Sequence, residues 1–203
     1  METLRSINLR KFNSSVLILD KYELDSVAQS GTFVITANEP THDNLVLKTA
    51  DMRILSIDSD SITVSFEDER DIDAIIAFDD AIIHQLTSCS KTCFNETYTY
   101  EMIDEDVYRR SLITNRKTQH FSMRLYYNET LKVYDPSKVI IEQDRLVPNV
   151  IFRAALKPWT LKTQLKTHRA YTTWNIDHVM IVEEPFHTEC VLDASDTSDC
   201  EDH

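Results

Sequence analysis

Two stretches of this chain combine many cations and aromatic rings with a complete absence of acid. Between Val107 and Asn128 stand Arg109, Arg110, Arg116, Lys117 and Arg124. Between Arg145 and Ile176 stand Arg145, Arg153, Lys157, Lys162, Lys166 and Arg169. No Asp or Glu interrupts either stretch, although the chain holds 34 of them against 21 Lys and Arg and carries a formal charge of -13. Eleven cations are thereby segregated, leaving 10 to face all 34 acids in the remainder. The same stretches hold eight aromatic residues: Tyr108, Phe121, Tyr126, Tyr127, Phe152, Trp159, Tyr171 and Trp174. Cations interleaved with rings are what a single nucleic-acid strand requires. The cations neutralise phosphates and release counterions, and unstacked bases lie on the rings at roughly 1–3 kcal/mol per base. The pattern therefore predicts phosphate contacts from Arg109, Arg116, Lys117, Arg124, Arg153, Lys157, Lys162, Lys166 and Arg169. The candidate stacking platforms are Tyr126, Trp159, Tyr171 and Trp174. Trp159 is placed foremost, in what reads as a polar loop after Pro158. Trp174 shares a strand face with Ile176 and Met180 and so serves a core equally well.

Other chemistries find little support. One glycine, Gly31, cannot build the phosphate-cradling loops of Walker or Rossmann folds, so no nucleotide cofactor is expected. His84, Cys89 and Cys93 form the His/Cys cluster worth testing for metal. Cys89 and Cys93 share a helix face only if the helix before them continues, and His84 is turned away from that face. The expectation is no metal and free thiols. Acid runs at Asp58/Asp60, Glu67/Asp68/Glu69 and Asp104/Glu105/Asp106 read as caps and solvated faces rather than a two-metal nuclease centre. The chain is expected not to be an enzyme.

Strands carry most of these groups. Short apolar runs at 15–19, 32–37, 44–48, 53–57 and 61–66 are separated by polar turns, with a hairpin at Asp58–Asp60. Helical spacing then takes over at Ile72, Ile75, Ile76, Ile82, Ile83 and Leu86, and Ser90-Lys91-Thr92 read as the helix end. A second, shorter helix is predicted over 103–112. Strand alternation returns at 120–127, with Phe121, Met123, Leu125 and Tyr127 on one face and Ser122, Arg124 and Tyr126 on the other. Further strands follow at 131–134, 139–141, 150–156 and 170–182, the last two joined by a long basic loop, 157–169. Several short strands with an interposed helix predict a mainly β (α+β) fold, a small Greek-key barrel of the OB type. Residues 1–182 read as one domain, in which 1–65 either complete the barrel or extend it. The last 21 residues, from Glu183, hold eight acids and no Lys or Arg and read as a disordered acidic tail. No apolar run is long enough to span a membrane, and the first residues show no secretory pattern, so an intracellular protein is expected.

From about Phe78 to Glu184 the order of landmarks resembles the OB-fold single-stranded-DNA-binding proteins of large DNA viruses and short-tailed phages. The landmarks are FDDAIIHQL, CFNETYTYEMIDEDVYRRSL, FSMRLYYNETLKVYD, VIFRAALKPWTL and TTWNIDHVMIV, followed by the acidic tail. Two departures stand out: Ala170-Tyr171-Thr172-Thr173 where the family often has glycine, and a tail ending in His203 rather than an aromatic residue. The resemblance implies a non-catalytic viral protein that coats single strands during replication or recombination. It also implies that the tail contacts replication proteins, and it places the work in the host nucleus or a cytoplasmic site of viral DNA replication. A homodimer is left open. The rival expectations are a non-catalytic virion or assembly protein docking an acidic partner, and an accessory subunit of a replication enzyme.

Overall fold

A computed structural model describes residues 7–37, 45–114 and 120–183. In chain order its strands are β1 (Ile7–Asn8), β2 (Leu17–Asp25), β3 (Ser30–Ala37), β4 (Leu47–Lys48), β5 (Met52–Ile57) and β6 (Ser61–Phe66). Helix α1 (Glu69–Phe94) and a single turn, α2 (Tyr100–Met102), follow. The remaining strands are β7 (Tyr108–Arg109), β8 (Leu112–Thr114), β9 (Phe121–Tyr126), β10 (Lys132–Tyr134), β11 (Ile140–Ile141), β12 (Ile151–Gln164) and β13 (Arg169–Glu183).

Five of these strands close on themselves. β12 pairs antiparallel with β5, β5 with β6, and β6 with β9; β9 meets β13 in parallel at Tyr126 and Asn175; β13 returns antiparallel to β12. This ring, with its single parallel contact, is the Greek-key barrel connectivity of the OB-fold. Alternation explains which side chains fill it. Met123 and Leu125 of β9 and Ile62 and Val64 of β6 are buried, while Arg124 and Thr63 between them point outward. Phe152, Leu156, Val179 and Ile181 complete the interior.

Helix α1 covers the barrel with Ile75, Phe78, Ile82, Ile83 and Leu86, all fully buried. It begins where Asp68 accepts a hydrogen bond from the Arg70 backbone N–H, with Glu69 and Asp71 in the first turn where the helix dipole favours negative charge. The helix does not end at Ser90–Thr92 as its sequence predicts. It runs on to Phe94 because Cys93 and Phe94 both find buried positions, and it stops at Asn95, whose φ of 60° makes a left-handed cap. Cys89 and Cys93 therefore do share a face, with sulfurs 3.4 Å apart. Among the described residues no group of three or more His, Cys, Asp or Glu could hold a metal ion, and no helix is long and apolar enough to cross a membrane.

Two further expectations need correction. The long loop predicted over 157–169 is mostly strand: β12 runs to Gln164, β13 starts at Arg169, and only residues 165–168 turn. The polar composition hid an alternation in which Leu161 and Thr163 are buried while Lys162 and Gln164 face outward. Hydrogen bonds from β3 on one side and β13 on the other sustain it. Pro158 fits because the register slips between Lys157 and Thr160, a bulge where no ladder N–H is needed. The helix predicted over 103–112 stops at Val107, after one π-type turn, because Tyr108 and Arg109 are drawn into β7 beside Ala170 and Tyr171. Residues 1–65, for which two roles were open, fill both: β5 and β6 belong to the barrel, whereas β2 and β3 extend β12 beyond it. In that extension a Cβ on Gly31 would clash with the Tyr22 ring, which packs 4.5 Å from the ring of Phe33. The single glycine is thus a matter of packing space. Residues 184–203 of the acidic segment lie outside the described residues, as do Arg116 and Lys117.

Candidate nucleic-acid interface

Beyond the barrel, the first half of β13 separates from β9, and a cleft of about 790 Å³ opens between them. Arg124, Tyr126 and Thr63 form one wall, from the outward face of β6 and β9, the face that OB-folds present to oligonucleotides. Arg109, Arg169, Tyr171 and Gln164 form the other wall. Ser111, Ala170, Thr172 and Trp174, buried or half-buried, lie along the base, and Arg110 and Ile113 complete the lining. Among the described residues that line it there is no Asp, Glu, His or Cys.

Strand register aligns the second wall. Lys162 of β12 is opposite Tyr171 of β13, which is in turn opposite Arg109 of β7, so the three share one face of the sheet. Gln164 and Arg169 form the adjacent row on that face. Tyr171 is thereby flanked by Lys162 and Arg109 across the strands and by Arg169 two residues earlier in its own strand. A ring surrounded by cations is a platform on which a base can stack while its phosphates are neutralised.

The four cleft arginines differ in how they are occupied. Arg110 reaches Asp80 at 2.9 Å and Asp104 at 2.7 Å; chiefly the hydrogen bond to Asp104 holds its pKa above the usual guanidinium range, so its charge is spent within the fold. Arg124 pairs with Asp58 at 2.5 Å in a half-exposed contact. Arg109 and Arg169 have no carboxylate partner among the described residues. Two charges unpaired among the described residues therefore stand on one side of the cleft, in a chain of net charge -13.

The base of the cleft is held from behind by a buried carboxylate. Asp79, 1% exposed, accepts hydrogen bonds from Tyr108 Oη at 2.7 Å, Ser111 Oγ at 2.7 Å and the Ser111 backbone N–H at 2.8 Å. Ser111 Oγ in turn accepts from Trp174 Nε1 at 2.8 Å, and Thr172 Oγ1 lies 2.9 Å from the Tyr108 oxygen. Burial pushes the Asp79 pKa up to about 6, against the pull of its hydrogen bonds. Burial, and then the neighbouring Asp79, push the Tyr108 hydroxyl well above its ordinary value. Trp174 is 1% exposed and packs 4.7 Å from the Phe78 ring, so it serves the core and floors the cleft together.

The structure brings Arg109, Arg124, Tyr126, Arg169, Tyr171 and Trp174 together at the cleft, with Lys162 on the adjoining face. The other candidates lie apart. Arg153 is bound to Asp51 at 2.5 Å in a separate hollow, which Arg10, Glu67 and Asp68 also line, so carboxylates surround its charge. Lys157 is ion-paired with Asp177 and lies over the Trp159 ring, 4.5 Å from its centre. Trp159 itself belongs to the β12 bulge and does not line the cleft, which removes the loop position that put it foremost. Lys166 sits at the turn between β12 and β13, beside Leu24 and Gln29. Sequence reasoning missed Asp79, Ser111 and Gln164. Asp79 had a signal: it stands four residues from Ile75 and three from Ile82, on the apolar side of α1.

No family model and no curated protein matches the chain. Among solved structures, the single-stranded DNA-binding protein gp2.5 of bacteriophage T7 is similar with a TM-score of 0.48 and 9% identity, over 69% of this chain and 92% of that one. The single-stranded DNA-binding protein from bacteriophage Enc34 is similar with a TM-score of 0.42 and 13% identity, over 86% of this chain and 95% of that one. The same Enc34 protein in complex with ssDNA gives a TM-score of 0.40 at 12% identity, over 84% and 98%.

Proposed function

We propose that the protein binds single-stranded DNA in this cleft, without catalysis, as a viral protein that coats exposed strands during replication or recombination. The observation that carries the proposal is the pairing of Arg109 and Arg169 around Tyr171, both without carboxylate partners among the described residues, in a cleft whose described lining holds no acid, on the face of an OB-fold barrel. Duplex bases are stacked inside their helix and cannot reach Tyr126 or Tyr171, whereas a single strand offers both base faces and phosphates. The floor supports sequence tolerance, because the polar atoms of Ser111, Tyr108 and Trp174 are committed to one another and to Asp79. Catalysis has little to work with: among the described residues the lining holds no carboxylate, imidazole or thiol, and Asp79 stands behind Ser111 with its oxygens taken. In the same reading the acidic residues 183–203 meet replication proteins, inside the cell at the site of viral DNA synthesis.

Fluorescence anisotropy with labelled oligo-dT and the corresponding duplex, at low and moderate salt, tests the proposal. Preference for the single strand, with affinity falling steeply as salt rises, is the expected result. Equal affinity for both forms, or none at low salt, would overturn it and favour a protein that docks an acidic partner.

A further inference from the structure

Among the described residues, Arg124 is the cleft cation held by a single, half-exposed carboxylate. Its β9 position, opposite Thr63, points it outward beside Tyr126 into the cleft. Its guanidinium is nevertheless held at 2.5 Å by Asp58, which lies outside the cleft in the turn between β5 and β6. That turn is fixed by its backbone. Asp58 N–H donates to the Ser61 carbonyl at 2.8 Å, the Asp58 carbonyl accepts from Tyr127 Oη at 3.0 Å, and the Asp60 carbonyl accepts from Tyr127 N–H at 3.0 Å. The Asp58 carboxylate is thus presented to Arg124 by a braced turn.

We infer that Asp58 stands in for a phosphate: it occupies the Arg124 fork in the free protein and must be displaced when a strand enters, so it sets the affinity and salt sensitivity of the cleft. This rests on the single-strand-binding reading above. A carboxylate and a phosphate oxygen make the same charge-assisted bonds to a guanidinium, so one substitutes for the other. The pair is half exposed, 51% for Arg124 and 52% for Asp58, which keeps it screened and weak enough to exchange. The exchange nevertheless lowers the net gain, because the Arg124–Asp58 pair must be broken as the Arg124–phosphate pair forms. Arg109 and Arg169 bear no such competitor among the described residues, and Arg110, held by two carboxylates, does not exchange. The cleft therefore has two resident cations and one conditional one.

The test is oligo-dT affinity against salt for the full chain, Asp58→Asn and Asp60→Asn. The Asp60 variant removes the same charge from the same turn without touching Arg124. For Asp58→Asn the expected result is roughly two- to five-fold tighter binding at moderate salt. The slope of log affinity on log salt becomes steeper, by no more than about 0.7, because salt no longer also weakens a competing Arg124–Asp58 pair. Asp60→Asn changes neither beyond the small effect of net charge. Arg124→Ala should also cost more affinity in the Asp58→Asn background than in the natural one. If the natural chain binds oligo-dT and Asp58→Asn matches Asp60→Asn in both affinity and slope, the inference is overturned while the binding reading stands. If the natural chain does not bind at all, the binding reading itself fails. Unchanged thermal unfolding of the two variants establishes that the turn survives.

Discussion

Ser111 Oγ donates a 2.7 Å hydrogen bond to Asp79 and accepts one of 2.8 Å from Trp174 Nε1, so a buried carboxylate on α1 fixes the indole that floors the cleft. Three donors converge on that carboxylate, yet burial still holds its pKa up at about 6, above the ordinary 3.8. Between about pH 4 and pH 6 the folded state therefore keeps a proton that the unfolded chain releases. Stability from this group is fully present below pH 4 and is lost as pH rises through about 6. Holding that proton across the interval between the two values is worth about 3 kcal/mol, which is the stability lost by neutral pH. Asp79→Asn, which cannot ionise, is expected to remove this part of the pH dependence. Urea unfolding of both proteins at pH 4 and pH 7 measures it, and parallel profiles would show that Asp79 does not titrate as described.

Tyr171 and Tyr126 differ from Trp174 in being half-buried, with rings open to the cleft. Replacing either with Ala is expected to weaken oligo-dT binding by about 1–3 kcal/mol with little change in melting temperature, while Phe restores binding because the ring face does the stacking. Titration of the four single variants, each beside its own thermal melt, checks both halves of the expectation.

Trp174→Ala is expected to act on the fold first. Removing a fully buried indole that packs on Phe78 costs about 3–5 kcal/mol of stability. Trp159→Ala, at the half-buried bulge of β12, is expected to leave oligo-dT affinity near that of the natural chain, since the side chain does not line the cleft. Denaturant unfolding and anisotropy on the same two variants separate these roles.

Gly31→Ala tests the β2–β3 extension. The added methyl would collide with the Tyr22 ring and force it off Phe33, an overpacking cost of about 1–3 kcal/mol. A melting temperature equal to that of the natural chain would show that Tyr22 moves aside freely.

Much of this architecture was legible in the sequence because strand and helix periods are local. The alternation through Met123, Arg124 and Leu125 placed Arg124 outward, and the spacing of Ile75, Ile82 and Leu86 set the buried face of α1. Segregation of charge along the chain singled out Arg109, Arg124 and Arg169 without any geometry. What stayed hidden depends on pairing between distant segments. The strand character of Thr160–Gln164 is sustained by β13 on one side and, on the other, by β3, more than a hundred residues earlier, and it overrides a composition that reads as loop. Arg153 and Lys157 look in sequence like Arg109 and Arg169, but Asp51 and Asp177 reach them only in the folded chain. Trp159 was misplaced for the same reason, once its supposed loop became a strand.

In the proposed function, Arg109 and Arg169, on either side of Tyr171, make the cleft a surface for single-stranded DNA. The decisive experiment is the salt dependence of oligo-dT affinity for the full chain with and without Arg109→Ala/Arg169→Ala, with Arg153→Ala as the comparison. The double variant is predicted to bind more weakly at every salt concentration, with a slope shallower by about 1.4, two phosphates at about 0.7 each, while Arg153→Ala stays close to the natural chain. Oligo-dT affinity and slope unchanged in the double variant would contradict this role for the two arginines and place the strand elsewhere on the molecule.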